Sequence, residues 1–494
     1  MKDHQRRAPL SEAMKAYAGS GALAFHTPGH KQGLGAHPLL KRLITPEGLR
    51  EEVSLMTELD DLGHPSMCIK EAQDLAAELY GADAAYFMIN GTTGALHTML
   101  LSVLQPSDTV LVPRNAHRSI MGGLILCGAR PVYLQPAVDA RLGIAQGLTT
   151  ESVAAAVAAH PEAKALVAVY PTYYGVAADL PAIAAIVHAH GMLLLVDEAH
   201  GPHLPFSEAL PAEAIACGAD MAALSTHKLL GSLTQTSMLL VQSARVEQER
   251  VRQTAALLAS TSPNYLLLAS LDIARLQMAE EGQKRLDRAV RLAGAVRQSV
   301  NAADGLWCFG TEYMGQPGAA ALDVTKLTVQ VSGLGLTGAE AEHILRCQYH
   351  LQCELADAYN VLFIISMADT MREASILAGA LGCFAQNYRR PQPLALPEAA
   401  LPEIPPVCLT PREAFFAASE AIPFTEAIGH VAAEEITFYP PGIPVLNPGE
   451  QITAEVVRYV RAMAAVGLKV TGPQDTALAT IRVIRMGKSW QKES

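Results

Sequence analysis

The chain has 494 residues, of which 50% are hydrophobic, and it carries a formal net charge of −11 at pH 7. A single hydrophobic core stops growing at roughly 250 to 300 residues, so more than one domain is predicted. The acidic balance argues against a nucleic acid or an anionic membrane as a partner, because both bind basic surfaces.

The N-terminal stretch lacks the apolar core of a signal peptide, and no run of about 18 uncharged apolar residues occurs in the sequence. The eight cysteines are scattered, without the CxxC or Cys/His spacing of a zinc site. The histidines include HxxxH and HxxH spacings, but none forms the HExxH pattern of a metalloprotease. We therefore expect a cytoplasmic protein with reduced cysteines and no metal.

From position 71 to 241, short apolar runs alternate with amphipathic helical stretches. This alternation predicts an α/β domain with a mainly parallel, seven-stranded sheet that helices cover on both faces. Ligands of such sheets bind beyond the carboxyl ends of the strands. The runs are AAYFM (84–88), TVLV (109–112), PVYL (131–134), ALVAV (165–169), LLLVD (193–197), MAALS (221–225) and TSMLLV (236–241).

The later part of the chain predicts a smaller α/β domain. A proline-free helical stretch, Tyr265 to Ala302, precedes the strand-like runs KLTVQVSG (326–333) and VLFIIS (361–366), which flank a helix near 339–349. The proline-dense segment that follows is predicted to be an extended linker. The predicted segments are an N-terminal arm (1–60), a large sheet domain (61–303), a small α/β domain (304–388), the linker (389–411) and a C-terminal subdomain (412–494).

Two strand ends carry the strongest chemical signal. STHKLLGSLTQTSM (225–238) places Lys228 just after one run, and VDEAHG (196–201) places Asp197 at the end of another. Pyridoxal phosphate (PLP) chemistry needs a lysine that forms a Schiff base and a carboxylate that keeps the pyridine nitrogen protonated. Taken alone, Lys228 would be interpreted as a solvated surface lysine. Its position between a Ser/Thr/His cluster and an apolar run favours the cofactor role.

Two other strand ends complete the pattern. In INGTTGALHTM (89–99), Gly91, Thr92 and Thr93 open a helix, where backbone amides and hydroxyls suit a phosphate. An ordinary helix cap is an equal alternative for this turn. In VPRNAHRS (112–119), His117 lies near a helix start, where its ring could stack on the cofactor.

With these motifs, the sequence resembles the bacterial ornithine/lysine/arginine decarboxylases of PLP fold type I, and specifically the shorter members without an N-terminal receiver-like wing domain. The resemblance spans nearly the whole chain. Besides the motifs above, the matching stretches are FHTPGHKQG (25–33), 57–83, YPTYYGVAADL (170–180), TSPNYLLLASLDIAR (261–275) and ITFYPPGIPVLNPGE (436–450).

The resemblance implies a role for each candidate residue. Lys228 is the Schiff-base lysine of the large PLP-binding domain, Asp197 binds the pyridine nitrogen and His117 stacks on the ring. His200 approaches the ring or the substrate carboxylate. The phosphate is surrounded by Thr92, Thr93, Ser225 and His227. The resemblance also implies a homodimer, or a multiple of dimers, with the active site at the dimer interface. Residues 26–31 are expected either near that interface or as a structural arm.

The implied reaction is decarboxylation of a basic L-amino acid in polyamine biosynthesis or acid resistance. Arginine, giving agmatine, is favoured over lysine, giving cadaverine, and ornithine, giving putrescine. Carboxylates must meet the distal cation of the substrate. The candidates are Asp60, Asp61, Glu354, Asp357, Glu434 and Glu435. Two alternatives stay open, namely another fold type I reaction, such as an aminotransferase or aldolase-type lyase, and a nucleotide-binding or regulatory protein that keeps only the fold.

Overall fold

A computed structural model describes residues 3–242, 244–394, 401–438, 442–465 and 468–485. Parts of the predicted linker (395–400), of the motif 436–450 (439–441) and of the C-terminal subdomain (466–467 and 486–494) lie outside these ranges. Within them, no helix has the length and apolar character needed to cross a membrane.

The α-helices of the described residues are α1 (Pro9–Ala18), α2 (Pro38–Leu43), α3 (Pro46–Glu51), α4 (Cys68–Tyr80), α5 (Gly91–Val103), α6 (Arg118–Cys127), α7 (Thr150–Ala159), α8 (Leu180–Ala189), α9 (Thr226–Leu229), α10 (Gln248–Leu258), α11 (Tyr265–Asn301), α12 (Gly338–Tyr349), α13 (Met371–Tyr388), α14 (Pro411–Phe416) and α15 (Ala454–Ala465). The strands are β1 (Ala84–Met88), β2 (Thr109–Pro113), β3 (Arg130–Leu134), β4 (Val138–Asp139), β5 (Ile144–Ala145), β6 (Ala165–Val169), β7 (Val176–Ala177), β8 (Leu193–Asp197), β9 (Met221–Leu224), β10 (Ser237–Val241), β11 (Trp307–Cys308), β12 (Ala321–Leu322), β13 (Lys326–Gln330), β14 (Leu355–Ala356), β15 (Asn360–Ile364), β16 (Ser419–Pro423), β17 (Ile436–Phe438), β18 (Ile443–Leu446), β19 (Val470–Thr471) and β20 (Thr480–Ile484).

The seven predicted runs are the strands β1, β2, β3, β6, β8, β9 and β10, each within one residue of its predicted ends. Strand β2 pairs in parallel with β3 and β6, and β8 pairs in parallel with β9. Strand β10 is antiparallel to both β1 and β9. The prediction of a mainly parallel sheet is confirmed, with β10 as the reversed strand.

The chain divides into two compact units, and the first comprises residues 1–103 and 193–288. Its strands lie in the order β1, β10, β9, β8. Strands β9 and β10 are buried along their whole length, which explains their continuous apolar sequence. Because β10 is antiparallel to both neighbours, β1 runs in the same direction as β9 and β8. The carboxyl ends of these three strands therefore meet at one edge.

The second unit comprises residues 104–192 and 289–494. It contains β6, β2 and β3 with helices α6 to α8, and an antiparallel sheet in the order β11, β13, β15, β14. That sheet shares an apolar core with α12, α13 and the second half of α11. A separate core lies between α15 and the strands β16 to β20.

The N-terminal segment of the first unit is fastened to α11 by a buried ion pair. Arg275 and Asp272 are both fully buried and hydrogen bonded to each other at 2.5 Å. Arg275 also donates to the carbonyls of Gln5, at 2.6 Å, and Arg7, while Asp272 accepts the backbone N–H of Leu10 at 3.1 Å. The pair therefore holds the start of α1 through main-chain groups.

The variant Arg275→Met should destabilise the first unit by about 3 to 5 kcal/mol, because it leaves Asp272 buried without its partner. Arg285, on the same helix, forms a solvent-accessible pair with Glu281, so Arg285→Met should cost about 0.5 kcal/mol or less. Urea unfolding of both variants measures the difference. Equal losses would contradict the anchoring role of Arg275.

Candidate active site

In the first unit, predicted site residues lie at or just after the carboxyl ends of three strands, at one edge of the sheet. Strand β8 ends with Asp197, and β9 is followed by Ser225, the N-cap of the short helix α9 that carries Lys228. Strand β1 is followed closely by Gly91, the first residue of α5. The parallel register pairs Asp197 with Ala223 of β9. The two strongest sequence candidates thus lie at the carboxyl end of β8 and just beyond that of the adjacent parallel strand β9.

A direct contact joins two of these candidates. Nζ of Lys228 lies 3.0 Å from Nε2 of His200, and His200 is only 6% exposed. Asp197, three residues before His200, is 5% exposed and accepts the backbone N–H of Ala199 at 3.2 Å. A primary amine, an imidazole and a buried carboxylate therefore share this end of the sheet.

A cluster of hydroxyl groups ties the start of α5 to β9 and β10. The Thr92 hydroxyl bonds to that of Ser225 and lies 3.1 Å from that of Ser237, which in turn donates to the Leu224 carbonyl at 2.7 Å. Thr92 and the two serines are buried, whereas Thr93 is exposed. Ser237 is absent from the predicted residues. It lies inside the motif 225–238, but only the pairing of β10 with β9 and β1 brings it to Thr92.

The turn before α5 depends on glycine. Gly91 has φ +75°, a left-handed conformation that glycine adopts without strain, and its N–H donates to the Gln235 carbonyl at 2.8 Å. At Gly94 a Cβ atom would lie 2.0 Å from Oδ1 of Asn90. The first turn of α5 therefore packs closely under the Asn90 side chain.

A hydrogen bond of His227 determines which of its ring nitrogens carries the proton when the ring is neutral. Its Nδ1 lies 2.7 Å from the carbonyl oxygen of Thr236. Because a carbonyl only accepts, Nδ1 carries the proton, and Nε2 of a neutral ring is left unprotonated. His227 can donate to a phosphate through Nε2 only as an imidazolium.

His117 lies in the second unit, as the N-cap of α6. Its Nδ1 accepts the backbone N–H of Ser119 at 3.3 Å and lies 2.7 Å from the Ser119 hydroxyl. The ring is exposed. Capping through Nδ1 fixes the ring at the start of the helix.

The donor groups of the first unit fit PLP. Backbone amides at the start of α5 and the exposed Thr93 hydroxyl suit a phosphate, the Lys228 amine suits an aldehyde and the Asp197 carboxylate suits a protonated pyridine nitrogen. Throughout the described ranges, no group of three or more His, Cys, Asp or Glu side chains is arranged to hold a metal ion.

Three of the acidic candidates for the substrate cation have structural roles. Asp60 is buried and accepts backbone N–H groups at the start of α4, including that of Met67 at 2.7 Å. Asp357 is 3% exposed and accepts the Tyr174 hydroxyl at 2.9 Å. Glu434 accepts two backbone N–H groups, from positions 474 and 482. All three carboxylates stabilise the surrounding backbone.

The other three acidic candidates lie nearer the surface, and each has at least one partner within the protein. Glu354 accepts the Tyr173 hydroxyl, Asp61 accepts a backbone N–H at 2.8 Å, and Glu435 accepts the Thr437 hydroxyl at 2.7 Å. Asp61 and Glu354 are exposed, and Glu435 is half-buried.

Glu198, the residue after Asp197, is a buried acid that the sequence analysis does not single out. It is fully buried, its Oε1 accepts the Ala214 N–H at 3.0 Å, and its Oε2 has no hydrogen-bond partner among the described residues. Burial raises the pKa of Glu198 well above its usual value, and the nearby Glu213 carboxylate raises it further. Burial also raises the pKa of Glu213, although two backbone N–H groups oppose this. Both causes favour the protonated, neutral form of the Glu198 carboxyl group.

The raised pKa of Glu198 makes stability fall with increasing pH. The unfolded chain releases the Glu198 proton near pH 4.3, whereas the folded protein keeps it up to the higher folded-state pKa, so between these values the folded state binds an extra proton. Relative to Glu198→Gln, the wild type should lose up to about 1.4 kcal/mol of stability per pH unit across this range. Urea unfolding from pH 5 to 8 measures it, with the exposed Glu208→Gln as control. A pH-independent difference between wild type and Glu198→Gln would refute the buried neutral acid.

Comparison with known proteins covers nearly the whole chain. Residues 8–373 match the major domain of the Orn/Lys/Arg decarboxylase family, and residues 396–476 match its C-terminal domain. The arginine decarboxylase of Halalkalibacterium halodurans is 44% identical over 482 residues, which cover 97% of this chain and 98% of that protein. The arginine decarboxylase of Bacillus subtilis is 43% identical over 488 residues, which cover 99% and 100%.

Among solved structures, a lysine decarboxylase of Francisella novicida has a TM-score of 0.85 at 23% identity, covering 98% of this chain and 82% of that one. The shared fold is fold type I, and the family that matches is PLP-dependent. The family's major domain spans well over half of the chain, and relatives at 43% and 44% identity cover nearly all of it. The chain therefore belongs to the Orn/Lys/Arg decarboxylase family.

Proposed function

We propose that this protein decarboxylates L-arginine to agmatine with PLP as its cofactor. The observation that carries the proposal is the likeness, over 97% and 99% of the chain, to two proteins named arginine decarboxylase. The arrangement of Lys228, His200 and Asp197 supports it, because these side chains supply an amine, a proton acceptor and a carboxylate at one sheet edge.

When bound, PLP supplies an electron sink for the electron pair that the departing carbon dioxide leaves behind. Asp197 holds a proton on the pyridine nitrogen through its buried carboxylate, where low polarity strengthens the charge interaction. His200, 3.0 Å from Nζ of Lys228, accepts a proton from the lysine ammonium, so that a neutral amine can bond to the cofactor. After the carboxylate is lost, Lys228 returns a proton to Cα of the product.

Phosphate binding is assigned to the start of α5 and to α9. The backbone amides after Gly91 and the exposed Thr93 hydroxyl are the donors, and His227 adds a charged donor when its ring is an imidazolium. Thr92 and Ser225 act through their mutual hydrogen bond, which fixes α5 against the end of β9. His117 is proposed to stack on the cofactor ring.

The alternatives are less well supported. An aminotransferase or an aldolase-type lyase would use the same lysine and carboxylate, but the two relatives at 43% and 44% identity that cover nearly the whole chain are named arginine decarboxylases. A regulatory protein that keeps only the fold has no need of a buried carboxylate and a lysine–imidazole contact at neighbouring strand ends.

The purified, PLP-loaded protein should release carbon dioxide from arginine, with a kcat/KM at least tenfold above those for lysine and ornithine. The guanidinium differs from a primary ammonium in its planar, multiple donor geometry, so one site does not serve both equally. Lys228→Ala should abolish release, because the amine that binds the cofactor and returns the proton is lost. Detection of labelled carbon dioxide and of the amine product measures both outcomes.

The same assay separates failure of chemistry from failure of cofactor binding. Asp197→Ala should retain the visible absorbance of PLP bound through Lys228 and lose several orders of magnitude in rate. Thr93→Val should weaken PLP binding with a smaller effect on kcat. Carbon dioxide release at the wild-type rate by Lys228→Ala would overturn the mechanism, and release only in the presence of a keto acid would point to a different reaction.

We further propose that the protein is a homodimer. Four large apolar side chains between positions 23 and 43 are more than 80% exposed, namely Leu23, Phe25, Leu34 and Leu43. Exposed apolar groups concentrated in one segment are typical of a surface that a protein partner covers. The segment includes residues 26–31, which the family resemblance associates with the dimer interface.

Sedimentation velocity should give twice the chain mass of 52.5 kDa for the wild type. The double variant Phe25→Ser/Leu34→Ser should shift the equilibrium toward the monomer, because it removes buried apolar area from the interface. Leu257→Ser, at a side chain that is 77% exposed elsewhere in the first unit, serves as the control. An unchanged dimer in the double variant would exclude this segment from the interface.

We propose the cytoplasm as the compartment of the reaction. All eight cysteines are free thiols, as expected in a reducing environment. Immunodetection after cell fractionation would check this assignment, and recovery in a periplasmic or secreted fraction would overturn it.

A further inference from the structure

A buried ion pair follows β2 directly in the second unit. Arg114, the residue after β2, is 3% exposed, and Glu450 is fully buried. Their side chains form two parallel hydrogen bonds, with Nη2 of Arg114 2.7 Å from Oε2 of Glu450 and Nη1 bonded to Oε1. Such a bidentate pair fixes the orientation of both groups as well as their separation.

Further hydrogen bonds of both side chains lead to β18 and to the turn that follows it. Nε of Arg114 donates to the Pro444 carbonyl at 2.7 Å, and Oε2 of Glu450 accepts the backbone N–H of Asn447 at 2.7 Å. The guanidinium carbon of Arg114 lies 4.8 Å from the centre of the Tyr133 ring on β3. The residues after β2 are thus fastened to a turn more than 300 positions later in the chain.

A second contact from the C-terminal part of the chain reaches the opposite end of α6. Arg412, on α14, donates to the carbonyls of Leu126 at 2.8 Å and Ile125 at 3.3 Å, in the last turn of α6. A cation at this end of a helix meets carbonyl groups that have no partner within the helix. Contacts from beyond position 410 therefore reach the segment before α6, at Arg114, and the last turn of α6.

We propose that Glu450 is a positioning residue for the cofactor site, acting through Arg114 on the turn that ends at His117. This inference depends on the proposed function, in which the His117 ring stacks on PLP. Only Asn115 and Ala116 separate Arg114 from His117. A rotation of the backbone at Arg114 would therefore move His117, the N-cap of α6, and change the orientation of the His117 ring.

Stability alone does not explain this ion pair. Replacing a buried ion pair by apolar side chains of similar volume is often neutral or stabilising, whereas removing one partner leaves a costly unpaired charge. Directional hydrogen bonds, in contrast, cannot be replaced by apolar contact. A variant without both charges can therefore separate the positioning role from the structural role.

The test compares four variants by their thermal midpoint and by the Kd for PLP, measured by titration after the cofactor has been removed with hydroxylamine. Glu450→Gln should lower the midpoint and raise the Kd for PLP about tenfold. Arg114→Met/Glu450→Leu should regain a midpoint near that of the wild type and keep the raised Kd. His117→Ala should raise the Kd directly. Glu420→Gln, which affects an exposed pair with Arg485 in the same subdomain, should change neither quantity.

Each result decides between distinct conclusions. A raised Kd in the double variant together with a recovered midpoint supports the positioning role. A Kd within twofold of the wild type in the double variant, with a raised Kd in His117→Ala, overturns the role of Glu450 and leaves the proposed function intact. An unchanged Kd in His117→Ala removes the proposed stacking contact, and the positioning role fails with it. If Glu450→Gln does not fold, the Kd of the double variant for PLP decides whether Glu450 has the positioning role.

Discussion

The parallel pairing of β8 with β9 is the constraint on which the site depends. It aligns Asp197 with Ala223 and brings both strand ends to one edge of the sheet, so that a carboxylate and a lysine about thirty positions apart become neighbours. The reversed strand β10 extends this edge, because two antiparallel pairings return β1 to the direction of β9. The turn at Gly91, shortly after β1, therefore lies at the same edge of the sheet as the carboxyl ends of β8 and β9.

Burial at this edge requires every hydroxyl to find a partner. An unpaired polar group away from water costs about 1 to 3 kcal/mol, so the Thr92, Ser225 and Ser237 hydroxyls satisfy one another and the last carbonyl of β9. This network leaves backbone amides and the Thr93 hydroxyl as the donors that reach the surface of α5. The hydroxyl network thus fixes the start of α5, and the backbone amides and the Thr93 hydroxyl are the donors for a phosphate.

Much of the fold and part of the site could be predicted from the sequence, for a physical reason. Fully buried parallel strands are continuous apolar runs, and their ends are marked by polar residues, so all seven strands and the positions of Lys228 and Asp197 follow from local patterns. Polar contacts between distant positions have no such signature. The ion pair of Arg114 with Glu450 joins residues 336 positions apart, and neither residue lies in a periodic pattern that points to the other. Asp60 shows a second difficulty. A carboxylate that accepts backbone N–H groups at the start of a helix cannot be distinguished by sequence from a carboxylate that binds a substrate cation.

The raised pKa of Glu198 affects the electrostatics at the end of β8. Asp197 and Glu198 are adjacent acids, and two buried negative charges at one strand end would repel each other strongly in surroundings of low polarity. Burial and the nearby Glu213 carboxylate raise the pKa of Glu198 and thereby favour its protonated form, which reduces this repulsion. A protonated pyridine nitrogen is then matched by a single carboxylate. The raised pKa of Glu198 thereby favours a single negative charge at the site in which the reaction is proposed to occur.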